Sequence, residues 1–116
     1  MEINNAPLHA EDPAAAHAFA ALGSEARLSI LRALVRAGPG GMPVGALQDR
    51  LGLAASTLSH HLKAMVQAGI LRQAREGRVL RCTADYDRIN ALAAFLIKEC
   101  CADETAIDPS ELETTP

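Results

Sequence analysis

Four stretches in the first half of the chain carry apolar residues at intervals of three and four, which places them on one face of an α-helix. The pattern predicts helices over 12–22, 24–37, 43–51 and 55–68. Asp12 before Pro13 suits a helix start, and glycines end the later helices. Beyond the first helix, the residues expected to point inward are Leu28, Leu31, Leu34, Val35, Val44, Leu47, Leu51, Leu58, Leu62, Met65 and Val66.

The second half of the chain predicts a hairpin and a last helix. Runs over 70–74 and 79–84 have strand character, and the polar, glycine-containing segment 75–78 suits the reversal between them. Asp85 is expected to cap a helix over 86–101. Its predicted inward stripe is Ile89, Leu92, Ala93, Leu96 and Cys100.

The predicted order α-α-α-α-β-β-α is a mainly helical fold with a small hairpin. The short connection between the third and fourth helices is typical of a helix-turn-helix, and the hairpin would be its wing. Residues 12–102 are expected to form this single winged domain, between a flexible polar tail over 1–11 and a flexible acidic tail over 103–116.

Composition narrows the function classes. A chain of 116 residues with 49% hydrophobic residues suits one domain with one core, which leaves little room for a large catalytic cleft. We find no phosphate-cradling glycine loop and no paired-carboxylate motif, so we do not expect an enzyme. Only 3% of the residues are aromatic, which disfavours base-stacking platforms. Without a long apolar segment or a signal peptide, a soluble cytoplasmic protein is expected, with no membrane partner.

The net charge of −3 hides a segregation of charge along the chain. Between positions 24 and 84, nine lysines and arginines face three acidic residues, whereas eleven acids lie in the flanks. A basic middle between acidic ends offers one surface that can meet a polyanion. The alternative is an ordinary charged surface.

The side of the fourth helix opposite its apolar stripe is entirely polar. Short donors and acceptors near the start of a helix, with a lysine further along, suit insertion into a DNA major groove. The hairpin adds Arg72, Arg75, Arg78 and Arg81, of which Arg78 at the turn is placed to reach a minor groove. Taken singly, each serine or threonine could equally be a helix cap, and each histidine a surface residue. The predicted groove contacts are Ser56, Thr57, Ser59, His60 and Lys63.

Four ordered motifs resemble the ArsR/SmtB family of winged-helix repressors. They are AALGSEARLSIL at 20–31, STLSHHLK at 56–63, AGIL at 68–71 and EGR at 76–78. The resemblance implies a homodimer that joins through its first and last helices, reads an inverted-repeat operator in double-stranded DNA with its fourth helix, and leaves DNA when a metal or metalloid binds. It places the groove contacts on Ser56, Ser59 and His60, helped by Thr57 and Lys63. Ala55 stands where some relatives have a DNA-contacting glutamine.

The three cysteines limit which metal or metalloid could act as the inducer. An odd number of cysteines in a chain without a secretory signal indicates reduced thiols. The third helix has no Cys-x-Cys motif, and no histidine follows His61, so two of the family's metal sites are missing. Soft thiolates on Cys82, Cys100 and Cys101 favour a thiophilic inducer. Their arrangement resembles the arsenical-responsive branch of the family, which implies a trivalent arsenical, either arsenite or, preferably, a methylated species.

The expected arsenical site is shared between subunits. A helix over 86–101 would be about 24 Å long, so Cys82 and Cys100 of one chain would lie near its opposite ends. If the last helices of the two subunits pack antiparallel, we expect Cys82 of one subunit to pair with Cys100 of the other; a site within one subunit is the alternative. Adjacent helical residues diverge by ~100°, which makes Cys101 the least certain ligand unless the helix frays. The alternative is a redox or persulfide sensor that joins Cys82 to Cys100.

Overall fold

The computed structural model describes residues 13–104 and contains five helices and three strands in that range. The tail predicted over 1–11, the cap predicted at Asp12, and residues 105–116 of the tail predicted over 103–116 lie outside the described residues. No helix in the described range is long and apolar enough to cross a membrane. The elements, in chain order, are α1 (Pro13–Ala21), α2 (Glu25–Ala37), β1 (Met42–Pro43), α3 (Val44–Leu51), α4 (Ala55–Gln67), β2 (Leu71–Glu76), β3 (Val79–Ala84) and α5 (Tyr86–Ile97).

The four predicted N-terminal helices are all present. The side chain of Ser24 caps α2 by accepting a hydrogen bond from the backbone N–H of Arg27 at 3.2 Å. Gly52 ends α3 in the left-handed conformation that favours glycine, with φ 66°. The inward face of α2 was predicted incorrectly at one position, because Leu28 is 48% exposed whereas Ile30 is fully buried.

The core lies where α2, α3 and α4 pack against the sheet, and α1 packs against α4. Its largest fully buried side chains come from α2, α3, α4, β3 and the segment before β2. Burial of these side chains supplies the main stabilisation of a domain this small. They are Ile30, Leu34, Leu47, Leu58, Leu62, Met65, Ile70 and Cys82.

The hairpin is longer than predicted and its turn is shorter. β2 and β3 pair antiparallel from Leu71 with Ala84 to Glu76 with Val79, so Gly77 and Arg78 alone form the turn. Gly77 has φ 64°, as a two-residue hairpin with glycine at its first central position requires. The two strands therefore project a rigid wing with Arg78 at its tip.

A third strand, β1, was not predicted. It pairs antiparallel with β3, which gives the sheet order β1-β3-β2 and makes β3 the central strand. Gly41 precedes β1 with φ 64°, and a Cβ at this position would collide with the backbone carbonyl of Cys82. Glycine at 41 therefore lets two backbones approach closely beside Cys82.

The last helix is shorter than predicted. Asp85 caps it by accepting from the N–H of Arg88 at 3.1 Å, but α5 ends at Ile97 and not at Cys101. Only Leu92 of its predicted stripe is buried. Leu96 and Ile97 are 66% and 71% exposed in the single chain, so the end of the helix has no core to pack against. Cys100 is exposed as well, and is not the buried end of an apolar stripe.

Candidate nucleic-acid interface and thiol sites

One face of α4 is polar and exposed along its whole length. Leu58, Leu62 and Met65 hold the opposite face in the core, and this fixes the orientation of the helix. The polar face can therefore enter a groove without unfolding anything. All five groove contacts predicted on α4 lie on it and are exposed: Ser56, Thr57, Ser59, His60 and Lys63.

The start of α4 is open. Ala54 occupies the cap position and provides no side-chain hydrogen bond to the first turn. The backbone N–H groups of this turn therefore lack a side-chain cap at the end where Ser56 and Thr57 lie. Such groups favour an anion such as a DNA phosphate, which fits the polar face beside them.

His61 is bonded to a residue far away in the sequence. Its Nδ1 accepts a hydrogen bond of 3.1 Å from Nε of Arg27, in the first turn of α2. Partial burial, followed by the positive charges of Arg27 and His60, lowers the pKa of His61 from its usual value. Because Nδ1 accepts, the neutral ring carries its proton on Nε2, which is then a hydrogen-bond donor.

The four wing arginines differ in their partners. Arg72 forms an ion pair of 3.1 Å with Asp85, and Arg81 forms one of 2.9 Å with Glu76 and also donates to the carbonyl of Gly40. Within residues 13–104, Arg75 and Arg78 form no ion pair or hydrogen bond. Arg75 and Arg78, near the tip of the wing, are thus available to a polyanion. Arg72 and Arg81 are instead engaged in ion pairs within the fold.

Cys82 lies inside the sheet and not at its end. It is the fourth residue of the central strand β3, its exposed fraction is 0%, and its sulfur accepts a hydrogen bond of 3.4 Å from Gln73. Burial raises the pKa of the Cys82 thiol, and the bond from Gln73 only partly opposes that shift. A buried thiol with a raised pKa is a poor nucleophile and a poor metal ligand.

Cys100 and Cys101 lie on the surface beyond the end of α5. Because the helix has ended, their sulfurs converge to 3.4 Å instead of diverging as they would on a helix. Glu99 and Cys101 have positive φ of 61° and 64° in this turn. Hydrogen bonds to Cys100 and then to Glu104 raise the pKa of the Cys101 thiol.

The three cysteines do not form one site within the chain. Cys82 is buried, whereas the other two are exposed. Among the described residues, no group of three or more histidines, cysteines and acids could hold a metal ion. Within one subunit, the dithiol that a ligand can reach is therefore the adjacent pair Cys100 and Cys101. The pairing of Cys82 with Cys100 of a second subunit stays a prediction.

Comparison with known proteins agrees with this geometry. Residues 22–74 match the family model described as a helix-turn-helix domain. The chain contains a helix-turn-helix domain. No curated protein matches the sequence. The helix-turn-helix is formed by α3 and α4, as predicted.

Solved structures extend the likeness to the wing and the last helix. The chain resembles an ArsR-like transcriptional regulator from Rhodococcus sp. RHA1, at 27% identity over 78% of this chain and 82% of that one, with a TM-score of 0.66. It also resembles HlyU from Vibrio cholerae, at 26% identity over 81% and 99% of the two chains, with a TM-score of 0.64. The fold is thus the winged helix-turn-helix of ArsR-like transcriptional regulators.

A third relative is the homodimeric winged helix-turn-helix DNA-binding domain Mb0332 from Mycobacterium bovis, a possible ArsR-family regulator. It shares 25% identity over 83% of this chain and 89% of that one, with a TM-score of 0.60.

Sequence reasoning missed two long-range contacts between side chains. The bond between Arg27 and His61 joins residues 34 positions apart, and no periodic pattern signals such a contact. The ion pair of Arg72 with Asp85 was also missed, although an acid at a helix cap beside a basic strand is a weak signal of it. Both contacts change which cations around α4 remain available to DNA.

Proposed function

We propose that the chain is a homodimeric repressor of the ArsR family that acts in the cytoplasm, binds an operator in double-stranded DNA, and releases it when a trivalent arsenical binds cysteine thiolates. The exposed polar face of α4 beside the unpaired arginines of the wing carries this proposal. In this role α4 lies in the major groove, where Ser56, Ser59 and His60 meet base edges. Arg75 and Arg78 contact phosphates or the minor groove alongside.

A second copy of the chain would complete the fold. Leu96 and Ile97 are large apolar side chains at the end of α5, and both are more than half exposed in the single chain. An exposed apolar pair at a helix end favours contact with a second subunit. The homodimeric state of Mb0332 supports the same arrangement. Two subunits would set the spacing of the two α4 helices over an inverted repeat.

The arsenical would bind the exposed thiols at the end of α5. A monomethylated trivalent arsenical carries two exchangeable hydroxyl groups. Each thiol replaces one hydroxyl, forms an arsenic–sulfur bond and transfers its proton to the departing hydroxyl, which leaves as water. The 3.4 Å between the sulfurs of Cys100 and Cys101 supports this dithiol. Arsenite has a third exchangeable hydroxyl, which the thiol of Cys82 would replace, with release of water, only after β3 opens, since Cys82 is buried.

The effect of arsenical binding at Cys100 and Cys101 would reach α4 through the dimer interface. Cys100 and Cys101 lie three and four residues beyond Ile97, the exposed apolar residue that ends α5. An arsenical that bridges the two sulfurs fixes the backbone there and changes how the apolar end of α5 meets its partner. Because the dimer sets the distance between the two α4 helices, the operator would lose its fit.

The same short distance favours a second candidate, a redox sensor. A peroxide would take two electrons from the two thiols, the sulfurs would join in a disulfide, and the peroxide oxygens would leave as water. The raised pKa of the Cys101 thiol disfavours the thiolate that both reactions use, so it does not separate the two candidates. Titration of the DNA-bound protein with each agent separates them.

Fluorescence anisotropy on duplex DNA from the region upstream of the gene tests the proposal. The wild-type protein is bound to the duplex and titrated separately with arsenite, a methylated trivalent arsenical, Zn²⁺ and hydrogen peroxide. We expect release by the methylated arsenical at the lowest concentration and no release by Zn²⁺. Release by peroxide alone would favour the redox sensor, and absence of duplex binding would contradict the proposed function.

A further inference from the structure

We propose that Arg27 and His61 together bind a phosphate of the DNA backbone at the edge of the groove that α4 enters. This inference deepens the proposed function and rests on it. It assigns a DNA contact to α2, an element outside the helix-turn-helix pair, and to a histidine outside the predicted set of groove contacts.

The first step is the position of the pair. His61 lies in the middle of α4, next to His60 on the exposed polar face, and the centroids of the two rings are 5.9 Å apart. Arg27 lies in the first turn of α2, where Ser24 caps the helix. Side chains that flank the face of a helix lying in a major groove meet the phosphates at the groove edge.

The second step is the set of donors that the pair leaves open. Nε of Arg27 donates to Nδ1 of His61, so this bond uses one of the five guanidinium N–H groups. In residues 13–104, no carboxylate pairs with Arg27, although Glu25 lies two positions away and is exposed. The two terminal nitrogens of Arg27 and Nε2–H of His61 therefore remain as donors beside a full positive charge. A guanidinium fork with an imidazole N–H matches the oxygens of a phosphate.

The third step is preorganisation. A free arginine loses rotamer freedom when it binds a phosphate, whereas Arg27 is already held by His61. Arg75 and Arg78 at the wing tip form no such bond in the described part of the chain, so they would contribute charge with less orientation. The pair is thus the ordered cationic contact beside α4, and the wing tip is the adaptable one.

The salt dependence of duplex binding tests the charge of Arg27. Arg27→Gln is compared with Arg32→Gln, a matched control that removes an exposed arginine from the same helix. We expect Arg27→Gln to lower affinity about tenfold and to reduce the slope of log K against log salt by about one phosphate contact, whereas Arg32→Gln changes neither. Arg27→Lys should restore the slope and only part of the affinity, because lysine keeps the charge and loses the fork.

A second measurement can identify a phosphate contact of Arg27 even if Arg27→Gln lowers the stability of the protein. Single phosphates of the duplex are replaced by neutral methylphosphonates, one position at a time. We expect one position that weakens the wild-type protein about tenfold and leaves Arg27→Gln nearly unaffected. His61→Ala should lose less affinity than Arg27→Gln and keep the wild-type salt slope, since the cation remains.

Two results would contradict the proposal that Arg27 and His61 bind a phosphate. One is an equal loss in Arg27→Gln and Arg32→Gln, and the other is a lower melting temperature of Arg27→Gln with an unchanged salt slope and no sensitive phosphate. The second outcome would make the Arg27–His61 bond purely structural. A wild-type protein that binds no duplex at all would instead contradict the proposed function itself, and this role of the pair with it.

Discussion

Cys82 and the pair formed by Cys100 and Cys101 are the same residue type in opposite surroundings. Cys82 lies on the central strand, closed in by β1 and by Gln73, and solvent does not reach it. Cys100 and Cys101 lie beyond the last helix, exposed, with their sulfurs 3.4 Å apart. Burial and chain direction, and not the number of cysteines, therefore decide which thiols a ligand can meet.

The largest effect on stability is expected from a substitution that disrupts the packing around Cys82. Gly41→Ala introduces a Cβ at φ 64° that collides with the carbonyl of Cys82, and it should lower the free energy of unfolding by at least about 2 kcal/mol. Thermal unfolding followed by circular dichroism measures the change. Gly40→Ala is the matched control, since a Cβ there meets nothing within 4 Å. Equal melting temperatures for the two variants would contradict the close packing around Cys82.

The second largest effect is expected in the rates at which the buried and the exposed thiols react. We expect iodoacetamide to alkylate Cys100 and Cys101 on the order of 100-fold faster than Cys82, because Cys82 reacts only when the sheet opens locally. Mass spectrometry of peptides from timed samples gives the three rates. In Gly41→Ala the rate at Cys82 should rise towards the others. Similar rates at all three positions in the wild-type protein would remove the distinction.

Substitution of cysteine by serine should lower stability at Cys82 and not at Cys101. Cys82→Ser places a hydroxyl in an apolar site and should cost about 1–2 kcal/mol, even though Gln73 can still donate to it. Cys101→Ser, on the surface, should change the free energy of unfolding by less than about 0.5 kcal/mol. Urea unfolding of both variants checks the difference. A larger loss in Cys101→Ser would mean that the C-terminal turn supports the fold.

The smallest effect concerns pH at the exposed pair. Hydrogen bonds to Cys100 and Glu104 raise the pKa of Cys101, so its thiolate fraction is small at neutral pH and its alkylation should accelerate as the pH rises through the alkaline range. Glu104→Ala removes one of these bonds and should increase the rate at pH 8 about two- to threefold, a modest change because the site is exposed.

Asp103→Ala is the control for that prediction, since it removes a neighbouring carboxylate that does not affect the pKa of Cys101. If both variants accelerate alkylation equally, the local charge and not the hydrogen bond sets the reactivity of Cys101.

The sequence predicts the helix-turn-helix region well because burial there follows periodicity. Leu58, Leu62 and Met65 recur at helical spacing and are buried, so the opposite polar face of α4 followed directly. The two residues of β1 are too few to show a period, and their pairing with β3 is fixed by the close approach at Gly41.

The end of α5 could not be predicted in the same way. Cys100 continues the apolar spacing of Leu92 and Leu96, which indicated a longer helix. In the folded chain the core ends near Leu92 and Phe95, so nothing buries the following turn and the helix stops at Ile97. Local spacing does not reveal where the core ends. The contact between the sulfurs of Cys100 and Cys101 depends on that early stop.

The most direct test of the account compares Cys82→Ser with Cys101→Ser in operator release by a methylated trivalent arsenical, followed by fluorescence anisotropy. We expect Cys82→Ser to release DNA at an arsenical concentration within about threefold of the wild-type value. Cys101→Ser should need at least about tenfold more, because one of its two arsenic–sulfur bonds is lost. Release that depends on Cys82 and is unaffected by Cys101→Ser would contradict the assignment of the exposed pair as the inducer site.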